Sequence, residues 1–146
     1  MTDRRQAATG TFTLALPPDE AFRLFTPIGE RDWAHGWDPQ FPAATTDDTD
    51  PGTVFVTDAH HQTTTWVVVD RVAGRSVRYA RVLPGVTAGT VTVVLRDDAA
   101  GCAVTVTYDL TALTDDAARD LHDFVAGFAA FLDSWRHAID DHNVHN

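Results

Sequence analysis

The segment Trp33-Ala34-His35-Gly36-Trp37-Asp38 sets a histidine and an aspartate between and beside two tryptophans. Imidazole titrates near neutrality, so His35 is a candidate acid/base group, with Asp38 available to orient it. The competing reading is that Trp33 and Trp37 anchor an irregular, glycine-punctuated loop to the core. Residue types without geometry favour that reading over catalysis. A role for Trp33 or Trp37 in lining a pocket stands beside it.

A second group of candidates lies on strand-like runs. Val77, Tyr79, Arg81 and Leu83 share one face of a strand, and Val104, Val106, Tyr108 and Leu110 share a face of another. If both apolar faces look inward, Tyr79, Arg81 and Tyr108 become polar handles in an apolar pocket, the usual make-up of a ligand site. An inward arginine suits a carboxylate, phenolate or enolate. Alternatively, Arg81 lies at a rim and extends its head to water, while each tyrosine packs its ring and bonds locally. His35, Tyr79, Arg81 and Tyr108 form the candidate catalytic set.

Other constellations carry less. His60-His61 tempts a metal reading, but adjacent strand residues face opposite ways and no third ligand has suitable spacing. His142 and His145 sit three apart near the end of the chain. No metal is expected. Cys102, the single cysteine, follows Gly101 without a basic neighbour and reads as a small buried hydrophobe. The pairs Asp47-Asp48, Asp97-Asp98, Asp115-Asp116 and Asp140-Asp141 read as turn formers and helix caps, not as an acid/base dyad. A phosphate-binding loop is excluded by the absence of lysine, and no Gly-x-Ser-x-Gly elbow occurs. No cofactor is implied.

The elements that must position these residues follow from periodicity. Residues 1–6 read as polar and loose. From Ala8 to Leu16, Phe12, Leu14 and Leu16 alternate with small or polar residues, a half-buried strand. Pro17-Pro18-Asp19-Glu20 stops it and starts a short helix bearing Ala21, Phe22, Leu24 and Phe25. Gly29 to Trp33 forms a second short helix, within an irregular connection over residues 28–52. Five strands follow at Thr53–Ala59, Gln62–Val72, Ser76–Leu83, Val86–Asp97 and Cys102–Ala112, with separations short enough to demand antiparallel hairpins. Thr114 caps one long amphipathic helix from Asp115 to Asp141. Leu121, Phe124, Val125, Phe128, Phe131, Leu132, Trp135 and Ile139 fall on one side of it. Phe124, Phe128, Phe131 and Trp135 either fill the core or wall a cavity. Gly127 in mid-helix reads as a point of close approach by a neighbouring segment.

Length and charge narrow the function classes. The 146 residues suit one domain, 1–146. The net charge of −10, from 21 acidic residues against 11 arginines, opposes binding to nucleic-acid phosphates or anionic membrane surfaces. The polar N-terminal residues do not form a signal peptide, no stretch reaches the length of a membrane span, and a single cysteine suits a reducing compartment. The expectation is a cytoplasmic protein with no membrane insertion.

The order of strand, two short helices, five strands and a long helix resembles the helix-grip fold of the START-like, or SRPBCC, superfamily. The likeness lies nearest to its polyketide-cyclase-like and heat-shock-chaperone-activator-like branches. It is carried by Pro18-x-x-Ala21-Phe22-x-Leu24-Phe25-Thr26-Pro27 and by Gly29-Glu30-Arg31-x-Trp33-x-x-Gly36-Trp37-x-Pro39. The Trp66 strand, Pro84-Gly85 and the strand from Val104 to Tyr108 support it further along. The resemblance implies an α+β fold: a curved antiparallel β-sheet wrapped around a long C-terminal α-helix, with two short helices after the first strand. It also implies an apolar ligand held between sheet and helix. The expected occupant is a small hydrophobic or aromatic molecule, lipid-like or polyketide-like. Trp33, Trp37, Trp66, Tyr79, Arg81, Tyr108, Phe124, Phe128, Phe131 and Trp135 are the expected ligand contacts. A cyclase or dehydratase using acid/base groups in that cavity is the alternative. A protein-interaction module with a filled core is a third reading, and a homodimer through the sheet or the aromatic loop is left open.

Overall fold

The computed structural model describes residues 3–59 and 61–144. Six strands, β1 (Arg5–Leu14), β2 (Val54–Ala59), β3 (Gln62–Val72), β4 (Ser76–Leu83), β5 (Thr87–Asp98) and β6 (Gly101–Ala112), form one antiparallel sheet in the order β1-β6-β5-β4-β3-β2. Sequence neighbours pair along β2 to β6, as tight hairpin connections require. The exception is β1, which crosses to pair with β6 from Arg5↔Thr111 to Leu14↔Cys102. A register shift between Val68 and Asp70 leaves Val69 outside the ladder and bends the sheet at β3.

The first strand begins earlier than its pattern of apolar residues implies. Arg5 and Gln6 belong to it, because the ladder to β6 continues past the last apolar residue and Arg5 forms a two-bonded ion pair with Asp109. Residues 5 and 6 are therefore ordered strand, which corrects the expectation of a loose N-terminal stretch up to residue 6.

Helix α1 (Pro18–Phe22) runs into a 3-10 turn at Arg23–Phe25, and a second 3-10 turn spans Gly29–Asp32. At the far end of the chain, the Thr114 side chain accepts from the Ala117 amide and starts α2 (Asp115–Ala126). The long helix expected from Asp115 to Asp141 is in fact two: α2, then α3 (Phe128–Val144). Gly127 separates them, with φ −96° and ψ 12°. Glycine carries the weakest helix preference short of proline, so the break falls there. The hydrogen-bond ladder nevertheless runs across it, Gly127 donating to Asp123 and Phe131 to Gly127. A side chain at Gly127 would meet nothing nearer than 3.6 Å, so the glycine serves the break and not a close approach.

Inward-facing residues of the sheet, Phe55, Val68, Val77, Val93, Val104 and Val106 among them, meet Phe25, Phe128, Leu132 and Ile139 in one core. A smaller cluster of Leu110, Ala112, Ala117, Ala118 and Leu121 seals α2 onto the end of β6. Cys102 is wholly buried and its thiol is pushed up by burial, as expected of a packed hydrophobe. Among the described residues no helix is long and apolar enough to cross a membrane.

Candidate functional site

Between the concave face of the sheet and the two C-terminal helices lies a cavity of about 470 Å³. That volume falls in the range of small-molecule sites. All four tryptophans of the chain line it, together with Phe55, Tyr79, Tyr108, Phe124 and Phe131.

The irregular segment after α1 supplies one end. Trp33 Nε1 donates to the Leu24 carbonyl and Trp37 Nε1 to the Pro27 carbonyl, both at 2.7 Å. Each indole is thus tied by its nitrogen to the first helical segment while its ring lines the cavity. The anchoring and lining readings hold at once. Trp66, on β3, donates to Thr57 Oγ1 and stacks on Phe55 with an interplanar angle of 2°. From the helices, Phe124, Phe131 and Trp135 reach the cavity, and Trp135 packs against Trp33 at 5.4 Å between centroids. Phe128 does not line it. It lies in the core, 4 % exposed, where the turn of the helix aims it at β1 instead.

The polar candidates separate by their partners. Tyr79 is buried and donates to the Phe25 carbonyl at 2.9 Å, so its hydroxyl is committed to structure. Arg81 lines the cavity half-buried: Nη1 donates to Thr87 Oγ1 at 3.1 Å, and the guanidinium carbon sits 5.5 Å from the Trp66 ring centroid. It forms no ion pair with a described residue, and burial lowers its pKa while Tyr108 opposes that shift. Arginine begins so high that it stays charged. The Tyr108 ring is surrounded by Phe124, Phe128, Phe131 and Trp135, yet its hydroxyl bonds to no described residue. Burial, then the proximity of Glu30, pushes its pKa far up, with Arg81 pulling the other way.

His35 lines the cavity but is exposed, and Asp38 does not orient it. Asp38 pairs with Arg31 at 3.2 Å, and Arg31 also donates to the Pro39 carbonyl. The turn at Gly36, with φ +78°, carries the chain past His35 and leaves the two side chains to different neighbours. Of the expected acid/base set, the structure brings Arg81 and Tyr108 together inside. Tyr79 is tied off, and His35 stays outside. His60 of the adjacent histidine pair and His145 of the terminal pair lie outside the described residues. Among the described residues, no group of three His, Cys, Asp or Glu side chains is placed to hold a metal ion.

The residue that composition and spacing passed over is Glu30. It lines the cavity, and its carboxyl forms no hydrogen bond or ion pair with a described residue. Among the described residues no fully buried side-chain oxygen or nitrogen lacks a partner, so the Glu30 oxygens open onto accessible space. Desolvation raises its pKa well above the ordinary glutamate value, and the negative charge of Asp48 adds to the shift. The segment bearing it is held firmly. Asp48 accepts from the Ile28 amide and Thr26 Oγ1 from the Gly29 amide. A Cβ at position 29 would stand 1.7 Å from the Arg23 carbonyl oxygen, so only glycine lets the two 3-10 turns pack. Asp48 is itself steadied through its neighbour, since Arg71 grips Asp47 and bonds Thr49. The available signal was the spacing of Glu30 and Trp33, because residues three apart in a 3-10 turn share a face.

Comparison with known proteins agrees with this architecture. Residues 5–136 match the family model described as polyketide cyclase / dehydrase and lipid transport. Protein MLL2253 from Mesorhizobium loti superposes with a TM-score of 0.69 at 15% identity, over 93% of this chain and 98% of that one. CalU16 from Micromonospora echinospora gives 0.63 at 15%, over 92% and 73%. DynU16, from the dynemicin biosynthetic locus, gives 0.63 at 16%, over 92% of this chain and 47% of that longer one. No curated protein matches the chain. At such identities the superpositions speak for the fold alone, and the family match covers nearly the whole sequence. The chain belongs to the polyketide cyclase / dehydrase and lipid transport family, within the SRPBCC helix-grip superfamily.

Proposed function

We propose that the protein binds one small, largely apolar and aromatic molecule in the cavity between sheet and C-terminal helices. The observation that carries this reading is the cavity itself: about 470 Å³, walled by nine aromatic side chains, with a few polar groups inside. A ligand burying roughly 200 Å² of apolar surface there would gain on the order of 5 kcal/mol before association costs. Ring-on-ring contacts add to this gain and favour a flat or aromatic ligand over a flexible chain. A protein-interaction module with a filled core fits such a cavity poorly.

A second reading has one specific observation in its favour. Glu30, Tyr108 and Arg81 offer an acid/base group, a hydroxyl and a cation around one space. That set is what a cyclase or dehydratase would need to move protons on a bound polyketone.

Native mass spectrometry of the purified protein tests the binding reading, with denaturing extraction of whatever is held. Its expected result is a mass increment that disappears on denaturation, or uptake of a fluorescent hydrophobic probe by the empty protein. A clean mass together with no uptake of the probe would refute it.

A further inference from the structure

We propose that Glu30 is the specificity-determining residue of the cavity: with the Tyr108 hydroxyl and the Arg81 guanidinium it selects an apolar ring system by its uncharged oxygen acceptors, such as ketone or quinone carbonyls. The inference rests on the binding reading above and adds the chemical class of the ligand.

Three facts point this way. First, these groups bring uncommitted hydrogen-bonding capacity into the cavity. The carboxyl of Glu30 and the hydroxyl of Tyr108 bond to no described residue, and Arg81 spends one N–H on Thr87. The hydroxyl of Tyr79 and the indole nitrogens of Trp33, Trp37 and Trp66 are all taken. Polar groups left open in an aromatic cavity cost free energy unless something bonds them.

Second, the three groups line the same cavity, where the charges of Glu30 and Arg81 both act on Tyr108.

Third, the surroundings favour Glu30 as the neutral acid. Asp48 from the connecting segment is the charge facing it, Tyr79 on β4 and Tyr108 on β6 are the other titratable groups, and no cation among the described residues forms an ion pair with it. The neutral acid donates a hydrogen bond, whereas a carboxylate only accepts. Arg81 on the cavity wall acts on Tyr108, while His35, Asp58 and Asp120 stand at exposed positions of the lining. Two carboxylates there, on a chain of net charge −10, disfavour an anionic ligand.

The test uses two probes of nearly identical shape, 9-fluorenone and fluorene, which differ by a carbonyl in place of a methylene. Quenching of the four cavity tryptophans reports binding of either. With Glu30 protonated, the wild-type protein should prefer fluorenone by about three- to tenfold, the worth of one or two neutral hydrogen bonds. That preference should shrink as pH rises through the raised pKa of Glu30 and the acid ionises. Glu30→Gln should keep a preference that no longer varies with pH, since an amide donates without titrating. Glu30→Leu should lose most of it while binding fluorene at least as well. If Glu30→Leu fails to fold, the pH profile of Glu30→Gln decides alone. Equal affinity of the wild type for both probes overturns this inference and leaves the binding reading standing. So does a preference with the same pH profile in wild type and Glu30→Gln. If neither probe binds the wild type, both readings fall.

Discussion

The two tyrosines of the chain line one cavity, Tyr79 buried and Tyr108 half-buried, and both have phenol groups pushed upward by desolvation, yet their removal should have opposite consequences. The perturbation is the loss of one oxygen, Tyr79→Phe against Tyr108→Phe. Tyr79 donates to the Phe25 carbonyl at 2.9 Å in a buried setting, so Tyr79→Phe leaves that carbonyl without its side-chain donor in a place water does not readily reach. A buried acceptor so abandoned costs about 1–3 kcal/mol. For a domain of this size each kcal/mol moves the melting midpoint by roughly 2–4 °C, so Tyr79→Phe should melt about 2–12 °C lower. Tyr108 donates to no described residue. Its ring contacts with Phe124, Phe131 and Trp135 survive in phenylalanine, and a polar group is removed from an aromatic space. Tyr108→Phe should therefore lie within about 0.5 kcal/mol of wild type or be slightly more stable, while weakening the binding of a ketone probe. Urea denaturation followed by far-ultraviolet circular dichroism measures both, with equal m-values as the check that the unfolded states are alike. Equal losses in the two variants would refute the assignment, as would a Tyr108→Phe protein that is the less stable of the pair.

Glu30 carries a signature in the stability profile. Its folded pKa lies above its unfolded value, so below the ordinary glutamate range both states hold the proton and it has no effect. As pH rises through the window between the two values, the unfolded state loses its proton first, and the folded state loses stability. Wild type should thus weaken relative to Glu30→Gln with increasing pH and match its trend at acid pH; denaturation midpoints of the two that stay parallel throughout would contradict this. Gly29→Ala would set a methyl group 1.7 Å from the Arg23 carbonyl oxygen and must displace one 3-10 turn. A loss of about 1–3 kcal/mol or more in chemical denaturation, with weakened probe binding, is expected. Gly127→Ala meets only ordinary contacts, 3.6 Å at the nearest, at an exposed helical break. It should stabilise by about 0.5–1 kcal/mol in the same assay, and a loss would show that the break between α2 and α3 needs glycine.

What the sequence determined on its own is the local pattern. Alternation in Val77-Arg78-Tyr79-Ala80-Arg81 and in Val104 to Leu110 told which residues share a face, because a strand has a period of two whatever it packs against, and the structure decided that those faces look inward. Thr114 before two aspartates marked the start of α2, because a cap is a contact over three residues. Strand lengths and hairpin spacings told the order of the sheet from β2 to β6. The tertiary structure alone decided how polar groups were shared out. Asp38 could have served His35, but Arg31 reached it first. Tyr79 and Tyr108 look equivalent as sequence and differ only because the Phe25 carbonyl, 54 positions away, lies within reach of one of them. Phe124 and Phe128 sit on the same helical stripe, and their division between cavity and core depends on how α3 turns after Gly127 against β1. Glu30 emerged as a site residue only when Asp48, β4 and β6 closed around a segment that reads as an ordinary polar turn. Periodicity follows from the geometry of one element, whereas the burial and partnership of a polar group depend on every element that meets it.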